Sequence, residues 1–533
     1  MTTAPPTYPI DAQVTMTLAA LAATAATPRP SGETVADQTR RALTGIAARL
    51  TDSSLATGDT WLPMWLAVSP DNGNLVYIAR NTAANQFAVV VRGTVSAPTD
   101  MMEDLDVGTL VPFTAGGPPS PVAVSAGAMA AFTQVVNTPG LAYWDIVQED
   151  AEPALPAVTV ASGTTLPQAL LELLTAAYSS PTVYVTGHSL GGCVATMLAP
   201  YLQQLRWPNT PRFGLITFAA PTAGVAGFAR YVDSLPFSPS ARYVNSWDLV
   251  PCAWSDLAAP KDWYPKDVGP EANDDVKFLL TEIDMLRKGN VYVQPQAAGT
   301  TTLNGDYGLH DLQLVNKTLE DYLGQVAHQH ANSTYLTLLG APLVPPGPLV
   351  TSLSTTSGTG GATVTISGSG FDPDSVVDFG PIPCAEFSLD STGTRISATV
   401  PDGAGIVDVR VTTKFGTSPA VPLGRFAYGG PAPVVVTSVS PDKGPVGTPV
   451  DINGSGFAEG ATVMFRETAG DKAQYVSPNL ITAFVPKRTV EHPRTVDVTV
   501  TVGVATSPTT PADEFSYPKI LPDGSTETPR VSD

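Results

Sequence analysis

One segment, Val183–Gly192, constrains the fold of this chain more than any other. It reads Val-Tyr-Val-Thr-Gly-His-Ser-Leu-Gly-Gly, an apolar strand followed by Gly-x-Ser-x-Gly and the start of a helix. Gly187 and Gly191 permit a tight turn that Cβ atoms would obstruct. The hydroxyl of Ser189 is then expected at the end of a strand, beside a helix N-terminus that favours negative charge. We predict that Ser189 is a nucleophile; the alternative is an ordinary strand-to-helix turn.

The segments around this turn alternate between strand-like and helix-like patterns. Continuous apolar runs at Phe87–Val91 and Phe213–Phe218 are typical of strands buried on both faces, and Arg242–Val244 is also predicted as a strand. This alternation predicts an α/β domain over residues 1–341, with a mostly parallel central sheet covered by helices on both faces. The predicted helices are Ala126–Val135, Leu166–Tyr178, Gly192–Leu205 and Val225–Leu235.

The segment Ala12–Ala26 has two interpretations. Its small and apolar residues are compatible with a signal-peptide core, but no Lys or Arg precedes it, and a signal peptide starts with basic residues. The prolines just upstream and Asp11 favour instead an amphipathic first helix capped by Asp11. No apolar run reaches the roughly 20 residues that a membrane-spanning helix requires.

The helical pattern ends at a proline-rich linker, residues 342–348, and beyond it the sequence repeats. Ile366–Phe371 recurs 86 residues later as Ile452–Phe457. Because short alternating runs are divided by Gly, Pro and Asp turns, we predict two tandem all-β sandwiches. Further matches are Phe379 with Phe465, and Phe426–Tyr428 with Phe515–Tyr517. The predicted boundaries are 349–430 and 431–520, followed by a tail at 521–533 that we expect to be disordered.

Composition excludes several classes of function. Charged residues make up 14% of the chain and the net charge is −20, so a phosphate backbone would be repelled and we expect no nucleic-acid partner. The three cysteines, Cys193, Cys252 and Cys384, give no disulfide framework. The sequence also lacks the Cys/His spacing that is typical of a metal site.

A serine nucleophile needs a base, and the base needs an acid that orients it. When the serine lies on a strand-to-helix turn of this kind, the order along the chain is serine, acid, histidine. Asp248 follows the predicted strand Arg242–Val244, and working groups of such sheets lie just past strand ends. We predict that Asp248 is the acid; the alternative is an Asp that caps a turn before Pro251.

The base must be one of five histidines. His188 precedes the candidate nucleophile and His492 lies in the second repeat, which leaves three downstream candidates. His310 is more typical of a residue that caps a helix. His328 and His330 lie where the α/β domain closes, and spacing alone does not separate them.

Four motifs resemble the class 3 lipases, a branch of the α/β-hydrolases. They are Arg92-Gly93-Thr94, Phe218–Pro221, Asn245-x-x-Asp248-x-Val250-Pro251, and a His five residues before a Tyr. His330 and Tyr335 fit the last motif and His328 does not, so the resemblance favours His330 as the base. It also implies an oxyanion hole made by the backbone N–H groups of Thr94 and Leu190, with the Thr94 hydroxyl as a further donor. The sequence departs from the family in two places. Between Thr94 and Gly127, where the lid is expected, it does not match the family pattern, and after the lid it has Gly127-Ala128-Met129 where the family has Gly-Phe at the acyl groove.

The two repeats resemble IPT/TIG immunoglobulin-like domains. The features that carry this resemblance are a first strand ending in proline (Val434–Pro441), the Gly-x-Gly-Phe turn and a closing Phe-x-Tyr. No catalytic set is present in this half of the sequence. The resemblance implies a role in spacing, adhesion or stabilisation, with no partner specified.

The resemblances imply a serine hydrolase that cleaves carboxylic esters of lipids through an acyl-enzyme, with neither a metal nor an organic cofactor. Phospholipase A1 or aryl-esterase activity in the same site is an alternative, and so is a surface adhesion protein with an inactive hydrolase fold. Residues 95–113 mix apolar and acidic side chains, so we expect a lid with a short amphipathic helix that contacts lipid; the alternative is a surface loop with a buried helical turn. An extracellular or cell-surface location is favoured over a cytoplasmic one.

Overall fold

The computed structural model of the chain forms two compact units, residues 1–345 and 346–533, each described by itself below. The boundary between them falls inside the predicted proline-rich linker. The structure describes residues 8–24, 34–93, 106–147, 160–257, 280–281, 284–304, 319–413, 415–418, 421–428, 434–458, 460–487, 495–502 and 505–517.

The N-terminal unit is built on a mixed eight-stranded sheet. The strands described in this unit are β1 Trp61–Val68, β2 Leu75–Asn81, β3 Gln86–Val91, β4 Leu110–Phe113, β5 Val122–Ser125, β6 Leu141–Ala142, β7 Thr182–His188, β8 Arg212–Phe218, β9 Ser240–Asn245 and β10 Thr300–Leu303. The sheet order is β10-β9-β8-β7-β3-β2-β1-β6, and β4 and β5 form a separate hairpin. Pairing is parallel from β10 to β3 and antiparallel from β3 to β6. The predicted α/β class with a mostly parallel sheet is therefore confirmed, with an antiparallel extension at one side.

Helices cover both faces of this sheet. Those described are α1 Ile10–Thr24, α2 Val35–Leu50, α3 Ala126–Asn137, α4 Trp144–Val147, α5 Leu166–Thr175, α6 Leu190–Gln204, α7 Ala226–Asp233, α8 Leu319–His330 and α9 Asn332–Leu338. Apolar residues of α3, α5 and α6 share one core with strand residues such as Val185, whereas α1, α2 and α9 share the other with Tyr184. Adjacent residues of β7 thus point into opposite cores, as the two-residue period of a strand requires.

The first helix differs from the expected amphipathic one. It begins at Ile10, so Asp11 lies in its first turn and does not precede it as a cap. Its middle turns are enclosed, because the helix packs between β7 and α9, and Leu18 and Leu21 are fully buried. The hydroxyls of Thr15 and Thr17 donate to carbonyls one turn earlier, which satisfies these buried polar groups within the helix.

The predicted lid segment is only partly described. Residues 94–105 lie outside the described residues, and with them the expected amphipathic helix around Met101. From Asp106 to Thr109 the chain turns, and Leu110–Phe113 then pairs with Val122–Ser125 as an antiparallel hairpin. Residues 106–113 of the predicted lid are therefore turn and strand. The strand ends at Phe113, which is fully buried in the core against Phe132 and Phe228.

The C-terminal unit contains two copies of an all-β sandwich. The strands described in the first copy are β11 Leu349–Leu353, β12 Ser357–Gly358, β13 Thr363–Ser369, β14 Val376–Phe379, β15 Ile382–Pro383, β16 Phe387–Leu389, β17 Arg395–Thr399, β18 Ile406–Thr413, β19 Gly416–Thr417 and β20 Arg425–Tyr428. Those of the second are β21 Val435–Ser440, β22 Pro449–Ser455, β23 Thr462–Phe465, β24 Thr468–Ala469, β25 Asp471–Ser477, β26 Leu480–Phe484, β27 Thr495–Val502, β28 Ala505–Thr506 and β29 Glu514–Ser516. One sheet has the order β11-β13-β17-β16 in the first copy and β21-β22-β26-β25 in the second.

The repeated Gly-Ser-Gly-Phe turn has the same structural cause in both copies. A Cβ atom on Gly368 would overlap the Leu349 carbonyl and the ring of the Phe three residues later, and one on Gly454 would overlap the Val435 carbonyl and the corresponding ring. Glycine is therefore required where β11 approaches β13 in the first copy and β21 approaches β22 in the second. The predicted all-β sandwiches are confirmed.

Among the described residues, the longest apolar helices fall short of what a bilayer crossing needs.

Candidate active site

Ser189 lies in the strained turn that the sequence predicts. It sits between the end of β7 and the start of α6, with φ +60° and ψ −133°, a backbone conformation that non-glycine residues rarely adopt. Its N–H donates to the Phe218 carbonyl at 3.0 Å, and its own carbonyl accepts from the Cys193 N–H at 3.1 Å. A Cβ on Gly187 or Gly191 would overlap neighbouring backbone, so both glycines are sterically required. These contacts fix the serine just past the end of β7, an inner strand of the sheet.

Asp248 occupies a turn just past the end of β9. Its carboxylate is buried, and Oδ1 accepts from the Val250 N–H at 3.0 Å. The Asp248 N–H in turn donates to the Asn245 carbonyl at 3.1 Å. A short 3₁₀ helix, Val250–Cys252, follows. The Val250 N–H therefore holds the carboxylate, and the Asn245 carbonyl holds the backbone of Asp248.

His330 is the last residue of α8 and joins the two other candidates. Its Nε2 lies 2.8 Å from Ser189 Oγ, and its Nδ1 lies 2.8 Å from Asp248 Oδ2. Ser189 and Asp248 are 141 and 82 residues away along the chain, respectively. His328, the alternative base, is half-buried on the same helix, and its carbonyl accepts from the Thr334 hydroxyl. His310 lies outside the described residues.

Tyr335 contributes a contact that sequence reasoning did not assign. Its hydroxyl donates to Asp248 Oδ2 at 2.8 Å and accepts from the Asn245 N–H at 2.9 Å. Burial, together with the negative charge of Asp248, raises the pKa of Tyr335 well above its usual value, so the hydroxyl keeps its proton. Oδ2 of Asp248 thus receives hydrogen bonds from both the imidazole and the phenol. The only sequence signal was the five-residue spacing from His330.

His188 lies beside the candidate base. Its ring centroid is 4.7 Å from that of His330 and 5.2 Å from that of Tyr335. Burial and the neighbouring His330 lower the pKa of His188 well below its usual value. The ring is therefore neutral at physiological pH, and it adds no charge that would oppose protonation of His330.

A buried guanidinium supports the turn that carries Asp248. Nη2 of Arg242 donates to the Pro251 carbonyl at 3.1 Å, and Nε2 of Gln294 donates to the same carbonyl at 3.0 Å. Burial lowers the pKa of Arg242, although the charge of Asp248 acts in the opposite direction. Sequence patterns identified Arg242 only as part of a strand.

Of the two residues predicted to form the oxyanion hole, only Leu190 lies among the described residues. Leu190 is the first residue of α6, where backbone N–H groups have no partner inside the helix and point beyond its N-terminus. Thr94 lies outside the described residues, so its role stays a prediction. Gly93, the residue before it, lies against Ser189: a Cβ there would be 2.8 Å from the His188 carbonyl oxygen and 3.1 Å from Ser189 Cβ.

Arg92, the first residue of the Arg-Gly-Thr motif, points away into the protein. It is almost fully buried and donates from Nη2 to the carbonyl of Asn72 and, at 3.2 Å, to Asn72 Oδ1. Burial lowers the pKa of Arg92 to about 10, which leaves it charged at neutral pH. Its contacts anchor the end of β3 to the β1–β2 turn.

Fold and geometry together define the class of the N-terminal unit, an α/β-hydrolase with a serine, histidine and aspartate in hydrogen-bond contact. Comparison with known families gives the assignment: residues 88–256 match the family "Lipase (class 3)", and residues 348–428 and 433–517 each match "IPT/TIG domain". The chain thus contains one segment that matches class 3 lipases and two that match IPT/TIG domains, which confirms both resemblances. Ser189 and Asp248 lie inside the matched lipase segment, and His330 lies beyond it.

Individual relatives agree with this assignment. Lipase ZK262.3 of Caenorhabditis elegans is 40% identical over 75 residues, which are 14% of this chain and 21% of that protein. The lipase of Rhizopus niveus is 27% identical over 226 residues, 39% of this chain and 47% of that lipase. This chain therefore spans less than half the length of these curated relatives. The crystal structure of M37 lipase has the same fold, with a TM-score of 0.50 and 21% identity, over 62% of this chain and 93% of that one.

Proposed function

We propose that the protein is a serine hydrolase that cleaves carboxylic esters of lipids through an acyl-enzyme. The observation that carries the proposal is the unbroken chain of hydrogen bonds from Ser189 through His330 to Asp248, with both distances at 2.8 Å. This is the arrangement that activates a serine hydroxyl. The class 3 lipase match supports hydrolysis of esters.

Each residue has a defined role in the proposed reaction. Ser189 Oγ attacks the ester carbonyl carbon while its proton passes to His330 Nε2. Asp248 accepts the Nδ1–H of His330 and stabilises the imidazolium that forms. The Leu190 N–H, together with the predicted Thr94 N–H, donates to the oxyanion of the tetrahedral intermediate. The intermediate collapses to the acyl-enzyme as His330 protonates the leaving alcohol. His330 then deprotonates a water molecule that attacks the acyl carbon, and it returns the proton to Ser189 Oγ as the acid leaves.

Lipid esters are the substrate class that we propose. The support comes from the family match and from relatives whose names say lipase. Phospholipase A1 and aryl-ester activity remain alternatives in the same site. A panel of chromogenic esters from acetate to palmitate, with a phospholipid beside it, distinguishes them: rates that rise with chain length support a lipase, and exclusive cleavage of acetate contradicts one.

The decisive test is the variant Ser189→Ala. We expect ester hydrolysis to fall by at least about 10⁴-fold, since removing a nucleophile removes the acyl-enzyme route. Equal activity in the variant and the wild type would mean an inactive hydrolase fold and a different role for the chain. A second comparison tests the base: His330→Ala should abolish turnover, whereas His328→Ala should keep most of it.

The IPT/TIG domains support an interaction role outside the cytoplasm. We propose that they act as a spacer for the hydrolase or attach it to another protein, and that the protein is extracellular or at the cell surface. We also propose the domain boundaries predicted from sequence, with the hydrolase ending near residue 341. Cleavage within residues 342–348 should then release an active N-terminal fragment, and loss of activity in a folded fragment would show that the repeats complete the site.

A further inference from the structure

Asn245, at the end of β9, is a buried residue with every polar group in use. It is 2% exposed. Its side chain accepts from the Trp247 N–H through Oδ1 at 3.2 Å and donates from Nδ2 to two oxygens of Gln329. The amide orientation is determined by these partners, because both oxygens of Gln329 need a donor and the N–H of Trp247 needs an acceptor.

The side-chain bonds of Asn245 connect it to the base. Nδ2 lies 2.9 Å from the Gln329 carbonyl oxygen and 2.6 Å from Gln329 Oε1. Gln329 immediately precedes His330 at the end of α8. The carbonyls of a helix's last turn have no partner inside the helix, so this amide satisfies one of them and fixes the helix end.

The backbone of Asn245 connects it to the acid. Its carbonyl accepts from the Asp248 N–H at 3.1 Å, and its N–H donates to the Tyr335 hydroxyl at 2.9 Å, which itself donates to Asp248. Asn245 thus bonds both to the segment that carries His330 and to the turn that carries Asp248. His330 and Asp248 are 82 residues apart in sequence.

We propose that Asn245 is a positioning residue that sets the distance and angle between His330 and Asp248 through its amide bond to Gln329. This inference rests on the proposed function. The imidazole must keep both its hydrogen bonds as it gains and loses a proton, so a small displacement of α8 against β9 weakens proton transfer. Misplacement of a reacting group by about 1 Å can lower a rate roughly 100-fold.

The variant Asn245→Leu tests this role, because leucine has nearly the same shape and keeps both backbone bonds. It removes the two bonds to Gln329 and the acceptor of the Trp247 N–H, so Gln329→Leu is needed beside it to isolate the link to Gln329. We expect kcat to fall about 10- to 100-fold, with KM within about twofold of the wild type. The measurement is steady-state hydrolysis of a chromogenic ester by the full chain, with active sites counted by a fluorophosphonate that labels Ser189.

The matched control is Asn479→Leu in the second sandwich. Asn479 is equally buried, and its Nδ2 donates to the Gly454 carbonyl at 2.9 Å. This variant should lose stability without a change in kcat. Gln329→Leu removes Oε1, one of the two oxygens that accept from Asn245 Nδ2, so we expect kcat to fall several-fold. If Asn245→Leu does not fold, the result for Gln329→Leu decides whether the inference holds.

The outcomes separate the inference from the proposed function. A wild type without esterase activity refutes the proposed function. With an active wild type, a lower kcat per labelled site in Asn245→Leu supports positioning. An unchanged kcat per site overturns it, even if fewer sites are labelled, because Asn245 then only maintains the fold. In Gln329→Leu, a kcat equal to that of the wild type likewise overturns it.

Discussion

Removal of the Tyr335 hydroxyl isolates the contribution of a single hydrogen-bond donor to Asp248, the proposed acid of the triad. The variant Tyr335→Phe deletes a bond of 2.8 Å to Asp248 Oδ2 and leaves the Asn245 N–H without its acceptor. A hydrogen bond to a charged group contributes about 1.5–3 kcal/mol, and an unpaired buried N–H costs about 1–3 kcal/mol. We therefore expect the N-terminal unit to lose about 3 kcal/mol of unfolding free energy.

The expected kinetic effect is smaller than that of losing a triad member. Asp248 keeps His330 Nδ1 and the Val250 N–H, so its carboxylate stays in place but is held less firmly. If the transition state loses about 1.4–2.8 kcal/mol, kcat falls about 10- to 100-fold. KM should change little, because the hydroxyl is buried behind the acid.

Ester hydrolysis and thermal unfolding, measured on the same preparations, test this prediction. Tyr77→Phe is the control: that hydroxyl is also fully buried, but it donates to the Leu18 carbonyl at 2.7 Å, away from the site. It should lose about 1 kcal/mol of stability with unchanged kcat. The reasoning is refuted if Tyr335→Phe keeps wild-type kcat, or if both variants lose activity equally.

Three further perturbations follow from the geometry. The pKa of His188 is depressed in the folded protein, so below about pH 6.5 the unfolded chain binds a proton that the folded chain does not. The free energy of unfolding then falls by about 1.4 kcal/mol for each unit by which the pH decreases. His188→Gln should flatten this pH dependence in denaturant unfolding, and equal slopes in the variant and the wild type would contradict a buried neutral ring. Gly93→Ala places a Cβ 3.1 Å from Ser189 Cβ, so kcat should fall at least about tenfold in the ester assay, whereas a fully active variant would disprove close packing there. Gly454→Ala would overlap the Val435 carbonyl, so the second sandwich should become about 1–3 kcal/mol less stable and more easily proteolysed while ester hydrolysis is kept; loss of hydrolysis would contradict this separation.

Features fixed by short segments were predictable from the sequence. The turn at Ser189 needs only a strand, two glycines and a helix start, and all lie within ten residues. The two sandwiches were predictable because the same local pattern occurs twice. The position of Asp248 just past a strand end was predictable from the strand pattern before it. In each instance the determining residues are neighbours in sequence, where period and turn chemistry are informative.

Features that depend on distant residues were not predictable in this way. The bond from Asn245 to Gln329 joins residues 84 apart, and no local pattern indicates that either side chain meets the other. The enclosure of the middle turns of α1 has a similar origin, since the helix packs against α9, some 300 residues later. The antiparallel side of the sheet was missed although β1 and β2 are joined by only six residues, a connection too short for parallel strands.

The structure gives a physical reason why the five-residue spacing to Tyr335 favours His330 as the proposed base. α8 ends at His330 and α9 begins at Asn332, with Ala331 between them in an extended conformation. Because the chain turns there, one short helix delivers an imidazole and the next delivers a phenol to the same carboxylate oxygen of Asp248. A histidine two residues earlier on α8 has no such tyrosine at the corresponding place in α9. The five-residue spacing is thus needed for the imidazole and the phenol to reach the same oxygen of Asp248. The predicted loss of activity in Tyr335→Phe tests whether the phenol is needed there.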